Sequence, residues 1–198
     1  MSQIVFVAAL FSVAMIVGLS FLAFVSRRFE FFPPPGKNSW QFRTFWILFR
    51  IMFIGLVYLS FAEFASQPVF EPWMRYFLWL PLLVLGFGAA TVLSAKLGWA
   101  NAHGEKEGLV VSGLYRWSRN PIYVASWVGM TGWGFFVNSH YVTILLACWA
   151  FMYLLAPFVE EQWLERNYGS RFLTYKNLTS RFLGFPKPDP KSKEAETG

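Results

Sequence analysis

One feature of this sequence restricts its possible folds more than any other: it contains apolar runs about as long as a bilayer is thick. Residues 4–25 include no charged side chain. A helix of about 20 apolar residues crosses a hydrocarbon core of about 30 Å. Further apolar runs follow at residues 45–64, 76–95, 121–137 and 141–158. The pattern predicts an all-α integral membrane protein with five transmembrane helices.

The composition agrees with the membrane class. Of the 198 residues, 56% are hydrophobic and 14% are charged, against about 25% charged residues in soluble domains. Residues 1–25 contain no Lys or Arg, and the positive charges of Arg27 and Arg28 follow them. A secretory signal has the opposite order, so a retained anchor is predicted. A single cysteine, Cys148, excludes an intrachain disulfide.

The distribution of Lys and Arg predicts the orientation, because these residues are retained on the cytoplasmic side. With the N-terminus outside and the C-terminus in the cytoplasm, Arg75 is the basic residue left in an outer loop. The inner segments then hold Arg27, Arg28, Lys37, Arg43, Lys96, Lys106, Arg116, Arg119 and all basic residues from 166 to 193. The net charge of +6 therefore indicates topology and contact with anionic lipid, and no nucleic-acid motif is present. His103 and His140 fall on opposite sides, so they cannot share a metal ion.

Two polar clusters bracket the last two apolar runs, and on this topology both face the cytoplasm. The first comprises Gly113, Leu114 and Tyr115, then Arg119, Asn120 and Pro121, then Tyr123. Asn followed by Pro is also a common helix start, with Asn as the N-cap. Arg119 alone would equally suit a position facing lipid phosphate. A guanidinium and two phenols at one level of the bilayer edge favour a binding site.

The second cluster is the acidic pair Glu160 and Glu161, where the fifth apolar run ends. Carboxylates near a helix C-terminus interact unfavourably with the helix dipole unless the helix continues or a cation compensates. The candidate cations are Arg119, Arg166, Arg181 or a bound cationic ligand. The alternative is an ordinary solvated helix end.

Three local patterns predict how these clusters are held. The last two helices form a tight hairpin through Asn138, Ser139 and His140. Gly86-Phe87-Gly88 favours close helix packing over a nucleotide site, because no strand precedes it. Beyond the acidic pair, an amphipathic helix with a bend near Gly169 is predicted on the cytoplasmic surface, where it either anchors in the membrane or covers a pocket. Its apolar face consists of Leu164, Tyr168, Phe172 and Tyr175.

The two clusters together resemble the isoprenylcysteine carboxyl methyltransferase and phospholipid methyltransferase superfamily of integral membrane enzymes. The resemblance covers about residues 109–183 and its halves occur in the expected order. The matching residues are Leu109, Val110, Gly113, Tyr115, Arg119, Asn120, Pro121, Tyr123, Glu160, Glu161, Leu164, Tyr168, Gly169, Tyr175 and Arg181.

The resemblance implies a methyltransferase that binds S-adenosylmethionine in a cytoplasm-facing pocket between the last two helices. It implies that Gly113, Leu114, Tyr115, Asn120, Pro121, Tyr123, Glu160 and Glu161 hold the cofactor. Arg119, Glu161 and Arg181 would be the catalytic residues, the arginines facing the acceptor or its charge. Membrane lipids and a hydrophobic or lipidated acceptor are the expected partners.

Several alternatives stay open. A membrane reductase of the sterol-reductase type, using NADPH, has a similar C-terminal portion, and a non-enzymatic membrane scaffold would explain the basic tail. The acceptor is a carboxylate, an amine or a thiol, and the oligomeric state is undetermined. We expect one membrane domain over residues 1–185, with the cofactor site within 96–183, a disordered tail over 186–198, and residence in a bacterial-type inner (plasma) membrane.

Overall fold

Helices are the only regular secondary structure in the part of the chain that the computed structural model describes, which comprises residues 1–26, 29–31, 34–66, 71–98 and 108–187. No strand occurs within these ranges. A short 3-10 turn, Gly113–Arg116, stands apart from the long helices. The long helices are α1 (Ser2–Val25), α2 (Trp40–Ala62), α3 (Pro72–Leu97), α4 (Pro121–Val137) and α5 (His140–Leu178).

Four of these helices, α1, α2, α3 and α5, are long and apolar enough to cross a bilayer. They fit an integral membrane protein, as the apolar runs predict. The remaining helix, α4, has 17 residues, fewer than the roughly 20 that a crossing ordinarily needs. The fifth span and the orientation therefore stay predictions.

Helices α3 and α4 approach each other closely because glycines line their contact. A Cβ atom at Gly86 would lie 2.2 Å from the backbone nitrogen of Gly129, and one at Gly132 would lie 2.3 Å from that of Leu83. Close packing at Gly86 is thus confirmed. Gly88, by contrast, faces open space.

Helix α5 packs against α1, α2 and α4. The side chains of Ile16, Met52 and Leu145 are fully buried between these helices. Trp149 of α5 lies edge-on to the ring of Phe49, with ring centroids 5.4 Å apart. These apolar contacts fix the position of α5, which carries the acidic pair.

The predicted hairpin between α4 and α5 is present, with Asn138 and Ser139 as its connection. Asn138 adopts the left-handed conformation, with φ 54°, which asparagine tolerates better than most residues. The Trp127 indole nitrogen donates to the Ala150 carbonyl oxygen at 3.1 Å and so ties the two helices together. The turn also brings the start of α4 alongside the acidic pair.

Helix α5 differs from the sequence-based expectation in length. The sequence predicts a span ending at Phe158 and an amphipathic helix beyond the acidic pair, and the boundary at Phe158 is wrong. The helix continues unbroken through Pro157 and the acidic pair to Tyr168, roughly 44 Å at 1.5 Å per residue, and a second helical stretch follows Gly169 and ends at Leu178. The predicted bend is confirmed, because Gly169 has non-helical backbone angles (φ 51°, ψ −128°) that favour glycine.

The apolar face of this C-terminal stretch packs on protein. Phe172 is 1% exposed and Tyr175 is 8% exposed, and both contact Tyr115 in a separate hydrophobic cluster. Membrane anchoring by these two rings is therefore wrong. The stretch instead covers the chain that leads into α4.

Some expectations fall wholly or partly outside the described residues. Lys187 donates its backbone N–H to the Leu178 carbonyl oxygen at 3.1 Å, so the first residues of the predicted tail lie against the end of α5. Residues 188–198 of that tail lie outside the described part of the chain, as does His103. The disordered tail stays a prediction.

Candidate active site

The two polar clusters meet through Arg119 and Glu161. A terminal guanidinium nitrogen (Nη2) of Arg119 lies 2.9 Å from Oε1 of Glu161, and these side chains are only 8% and 7% exposed. The other terminal nitrogen donates to the Lys176 carbonyl oxygen at 2.7 Å. A loop before α4 is thereby joined to two points on α5, 42 and 57 residues further along the chain.

Arg181 completes this arrangement from the other side. Its Nε and Nη2 atoms donate to Oε1 and Oε2 of Glu161 at 2.9 and 2.8 Å, a bidentate pair. Its guanidinium carbon lies 4.1 Å from the centroid of the Phe158 ring. Hydrogen bonding to Glu161 raises the pKa of Arg181, with burial acting in the opposite direction. We refer to Arg119, Glu161 and Arg181 as the clasp.

The backbone after α5 reinforces the clasp. The backbone N–H of Arg119 donates to the Ser180 carbonyl oxygen at 2.9 Å. The Asn120 side-chain amide donates to the Arg181 carbonyl oxygen, also at 2.9 Å. Asn120 precedes α4 as predicted, but its side chain makes no capping hydrogen bond. It holds the C-terminal segment instead.

Glu160 lies in different surroundings. The hydroxyl of Tyr123, on α4, donates to Oε1 of Glu160. The rings of Tyr123 and Tyr153 lie 4.7 Å apart. In the described part of the chain, no Lys or Arg pairs with Glu160. The charge of Glu160 also acts on the hydroxyl groups of Tyr115, Tyr123 and Tyr153, which we call the tyrosine cluster.

Tyr115 contributes a buried polar group to this region. The residue is 7% exposed, and its hydroxyl has no hydrogen-bond partner among the described residues. Burial, followed by the nearby charge of Glu160, raises the pKa of Tyr115. Its carbonyl oxygen accepts a hydrogen bond of 2.7 Å from the Tyr175 hydroxyl. A buried hydroxyl without a partner is destabilising unless a ligand or water satisfies it.

The other predicted residues lie in the backbone turn before α4 and at the start of α4. Gly113 has φ 61°, in the left-handed region, and opens the 3-10 turn that carries Tyr115. Leu114, in the same turn, is 56% exposed. Pro121 is buried as the first residue of α4. Gly113, Leu114 and Pro121 thus shape the backbone near the site, whereas Arg119, Glu161 and Arg181 touch one another directly.

Sequence reasoning missed Tyr153 and Phe158. Tyr153 lies seven residues before Glu160, two helical turns away on the same face of α5, so helical spacing could have identified it. Phe158 had no comparable signal, because its partner Arg181 lies 23 residues away beyond the end of the helix. Both residues complete the aromatic surroundings of the acidic pair.

The family comparison agrees with this arrangement. Residues 74–171, about half of the chain, match the model of the phospholipid methyltransferase family. The matched segment contains most of α3, all of α4, the tyrosine cluster and both glutamates, and it ends before Arg181. The chain therefore belongs to the superfamily of membrane methyltransferases that includes the phospholipid and isoprenylcysteine carboxyl methyltransferases, as its motifs indicate. No curated protein and no solved structure matches the chain.

Proposed function

We propose that this protein transfers a methyl group from S-adenosylmethionine to a lipid, and that the acceptor atom is the headgroup amine of a phospholipid. One observation carries the proposal: the two adjacent carboxylates have different partners. Glu161 is paired with two arginines, whereas Glu160 is held by a tyrosine. The Glu160 carboxyl group is therefore available to a cationic ligand. The family assignment favours this reading over the NADPH-dependent reductase and the scaffold.

The residues around Glu160 fit S-adenosylmethionine. A cation is stabilised by a carboxylate and by aromatic ring faces within about 6 Å, and Tyr123 and Tyr153 supply such faces beside Glu160. The buried hydroxyl of Tyr115 offers a donor for a polar group of the cofactor. When bound, S-adenosylmethionine supplies an electrophilic methyl group on a positively charged sulfur.

Within this proposal, the protein acts mainly by holding groups in position. Tyr123 fixes the orientation of the Glu160 carboxylate by its hydrogen bond. The clasp keeps the start of α4 against α5, so that Tyr123 stays within reach of Glu160. An amine acceptor loses one proton for each methyl group it gains, and the Glu160 carboxylate is placed to accept that proton.

The clasp also favours an amine over a carboxylate as the acceptor. A carboxylate acceptor, as on isoprenylcysteine, would require a guanidinium to bind and orient it. Arg119 is buried and bound to Glu161 and to the Lys176 carbonyl oxygen. Arg181 already presents its Nε and Nη2 atoms to Glu161. A carboxylate substrate would find these nitrogens occupied, and the Nε of Arg119, which has no partner among the described residues, is buried, whereas an amine needs no guanidinium.

The cytoplasmic location of the site is part of the proposal. The clasp lies just beyond the predicted span of α5, on the side where basic residues are concentrated. This orientation requires five crossings. Helix α4 must therefore cross the membrane together with the four longer helices. The protein is then a five-span membrane protein with its site at the inner surface.

The direct test is methyl transfer by the purified protein in lipid nanodiscs. Methyl-labelled S-adenosylmethionine is added to nanodiscs that contain phosphatidylethanolamine, or phosphatidylglycerol as the amine-free control. We expect label in phosphatidylethanolamine alone, and at least a tenfold lower rate for Glu160→Gln. Label in neither lipid, or label in a protein carboxyl ester, would overturn the proposal. Thermal stabilisation by NADPH and not by S-adenosylmethionine would favour the reductase.

A further inference from the structure

A crevice between α1 and α5 opens on the apolar surface of the protein. Its volume is about 240 Å³. Two phenylalanines of α1 at its edge are exposed, Phe21 at 57% and Phe24 at 39%. The residues that line it are Ser20, Phe21, Phe24, Leu155, Phe158 and Val159. Helix α1 lies outside the segment that matches the family.

A second cavity lies between the crevice and the tyrosine cluster. This smaller cavity, of about 30 Å³, shares Ser20, Leu155 and Val159 with the crevice. Tyr123 and Tyr153 line its inner side. Because Tyr123 is hydrogen-bonded to Glu160, the two neighbouring cavities lie between the apolar surface and the proposed reaction site.

The outer crevice also lies at the level of the clasp. Phe158 lines it, and the guanidinium of Arg181 lies over the ring of Phe158. The crevice is lined mainly by apolar side chains and has the Arg181 guanidinium near one end. It therefore suits a molecule with a hydrocarbon chain and a polar headgroup. The narrow inner cavity admits no chain unless the side chains around it move.

We propose that the crevice between α1 and α5 holds one hydrocarbon chain of the phospholipid acceptor and directs its headgroup toward Tyr123 and Glu160. This inference rests on the proposed function. Lipid chains in the bilayer are already in apolar surroundings, so burial in the crevice adds little affinity. The crevice acts by positioning the amine for transfer.

Ser20 lies where the crevice and the inner cavity meet. It is 9% exposed and is a small side chain shared by both cavities. Leucine at this position would occupy the junction without adding a charge. We therefore expect Ser20→Leu to block the approach of a chain-bearing lipid. Because Ser20 also lines the inner cavity beside Tyr123, the affinity for S-adenosylmethionine is measured alongside, and an equal loss with a chainless acceptor would contradict the inference.

The test compares two acceptors. Rates are measured for long-chain phosphatidylethanolamine and for phosphoethanolamine, which has the amine and no chain. Ser20→Leu should lower kcat/KM for the long-chain lipid at least tenfold, with S-adenosylmethionine affinity and the rate with phosphoethanolamine within twofold of wild type. The matched control is Ala147→Leu, in a separate groove of about 510 Å³ between α4 and α5, which should change kcat/KM less than twofold. An unaffected Ser20→Leu, or the loss appearing in Ala147→Leu instead, would overturn the inference.

Photo-crosslinking of the unaltered protein gives a second measurement that needs neither folding of a variant nor activity. Phosphatidylethanolamine with a diazirine in its acyl chain is added to nanodiscs at a low molar fraction. We expect crosslinks enriched on residues 17–24 and 155–159. Enrichment on residues 127–151, or uniform labelling, would contradict the inference. Because the crosslinks do not depend on methyl transfer, they separate failure of the crevice from failure of the proposed function.

Discussion

Glu161 and Arg181 form a bidentate ion pair, in which the two carboxylate oxygens lie 2.9 and 2.8 Å from two nitrogen atoms of the guanidinium. The same carboxylate also binds Arg119. One acidic residue of α5 therefore joins the loop before α4 to the segment after α5. Its neighbour Glu160 makes no such pair with any described residue and accepts a hydrogen bond from Tyr123.

The clasp predicts a large loss of stability for Glu161→Gln. Removing one partner of a buried ion pair leaves an uncompensated charge and costs about 3–5 kcal/mol. Arg119 is the side chain left buried, at 8% exposure, whereas Arg181 is 31% exposed and solvent screens it. We expect a loss of about 3 kcal/mol in the free energy of unfolding, near the lower end of that range. The measurement is reversible denaturant unfolding in detergent micelles.

Glu165→Gln is the matched control for this variant. Glu165 pairs with Lys176 on the same helix, but the two side chains are 37% and 35% exposed. Exposed pairs contribute less than about 1 kcal/mol. Equal losses for Glu161→Gln and Glu165→Gln would show that the clasp does not hold the fold.

The contact between α3 and α4 predicts opposite effects for two nearby glycines. Gly86→Ala places a methyl group against the backbone of Gly129, and overpacking of this kind costs about 1–3 kcal/mol. Gly88→Ala meets no atom within 4 Å and should be neutral or stabilising by up to about 1 kcal/mol, because alanine favours helices. The melting temperatures of the two variants should shift apart. A shift of the same sign and size in both would contradict the close approach.

The hydrogen bond between Tyr123 and Glu160 predicts weaker cofactor binding for Tyr123→Phe. Without this hydrogen bond, which contributes about 1.5–3 kcal/mol to holding the group in place, the Glu160 carboxyl group can turn away from the cation, so we expect a rise of up to about tenfold in the Kd for S-adenosylmethionine, measured by calorimetry. Tyr58→Phe, an exposed tyrosine on α2, should leave the Kd unchanged. Equal Kd values for Tyr123→Phe and wild type would remove Tyr123 from the site.

The proposed topology predicts which cysteines an impermeant thiol reagent reaches. In a Cys148→Ala background, His140→Cys should react from outside intact cells, and Lys187→Cys should react only after the cells are opened. Both positions are exposed. Labelling of both from the same side would mean that α5 does not cross the membrane, and labelling with the two sides exchanged would reverse the orientation.

Much of the fold could be predicted from sequence because apolar runs and turn residues are local signals. The hairpin at Asn138 and Ser139, the bend at Gly169 and the close contact at Gly86 all follow from residue type and spacing. The continuation of α5 past Phe158, and the packing of its last stretch on Tyr115, could not be predicted in the same way. Its C-terminal rings, Phe172 and Tyr175, are buried by Tyr115, about 60 residues earlier, and sequence does not distinguish that protein surface from lipid.

The site shows the same division between local and distant signals. The charge of the acidic pair indicated a need for cations, and Arg119 and Arg181 were among the candidates. Which glutamate they bind depends on the angular position of each side chain around α5. Only the three-dimensional arrangement separates Glu161, which binds both arginines, from Glu160, which binds Tyr123.

The most direct test that Glu160 and Glu161 have different roles is a calorimetric titration of Glu160→Gln. The two ligands are S-adenosylmethionine and S-adenosylhomocysteine, which lacks the positive charge on sulfur. If Glu160 binds the cation, Glu160→Gln weakens S-adenosylmethionine at least tenfold relative to wild type, while its affinity for S-adenosylhomocysteine and its melting temperature change little. Unchanged affinity for S-adenosylmethionine, or equal weakening of both ligands, would contradict the assignment of Glu160 to the cofactor cation.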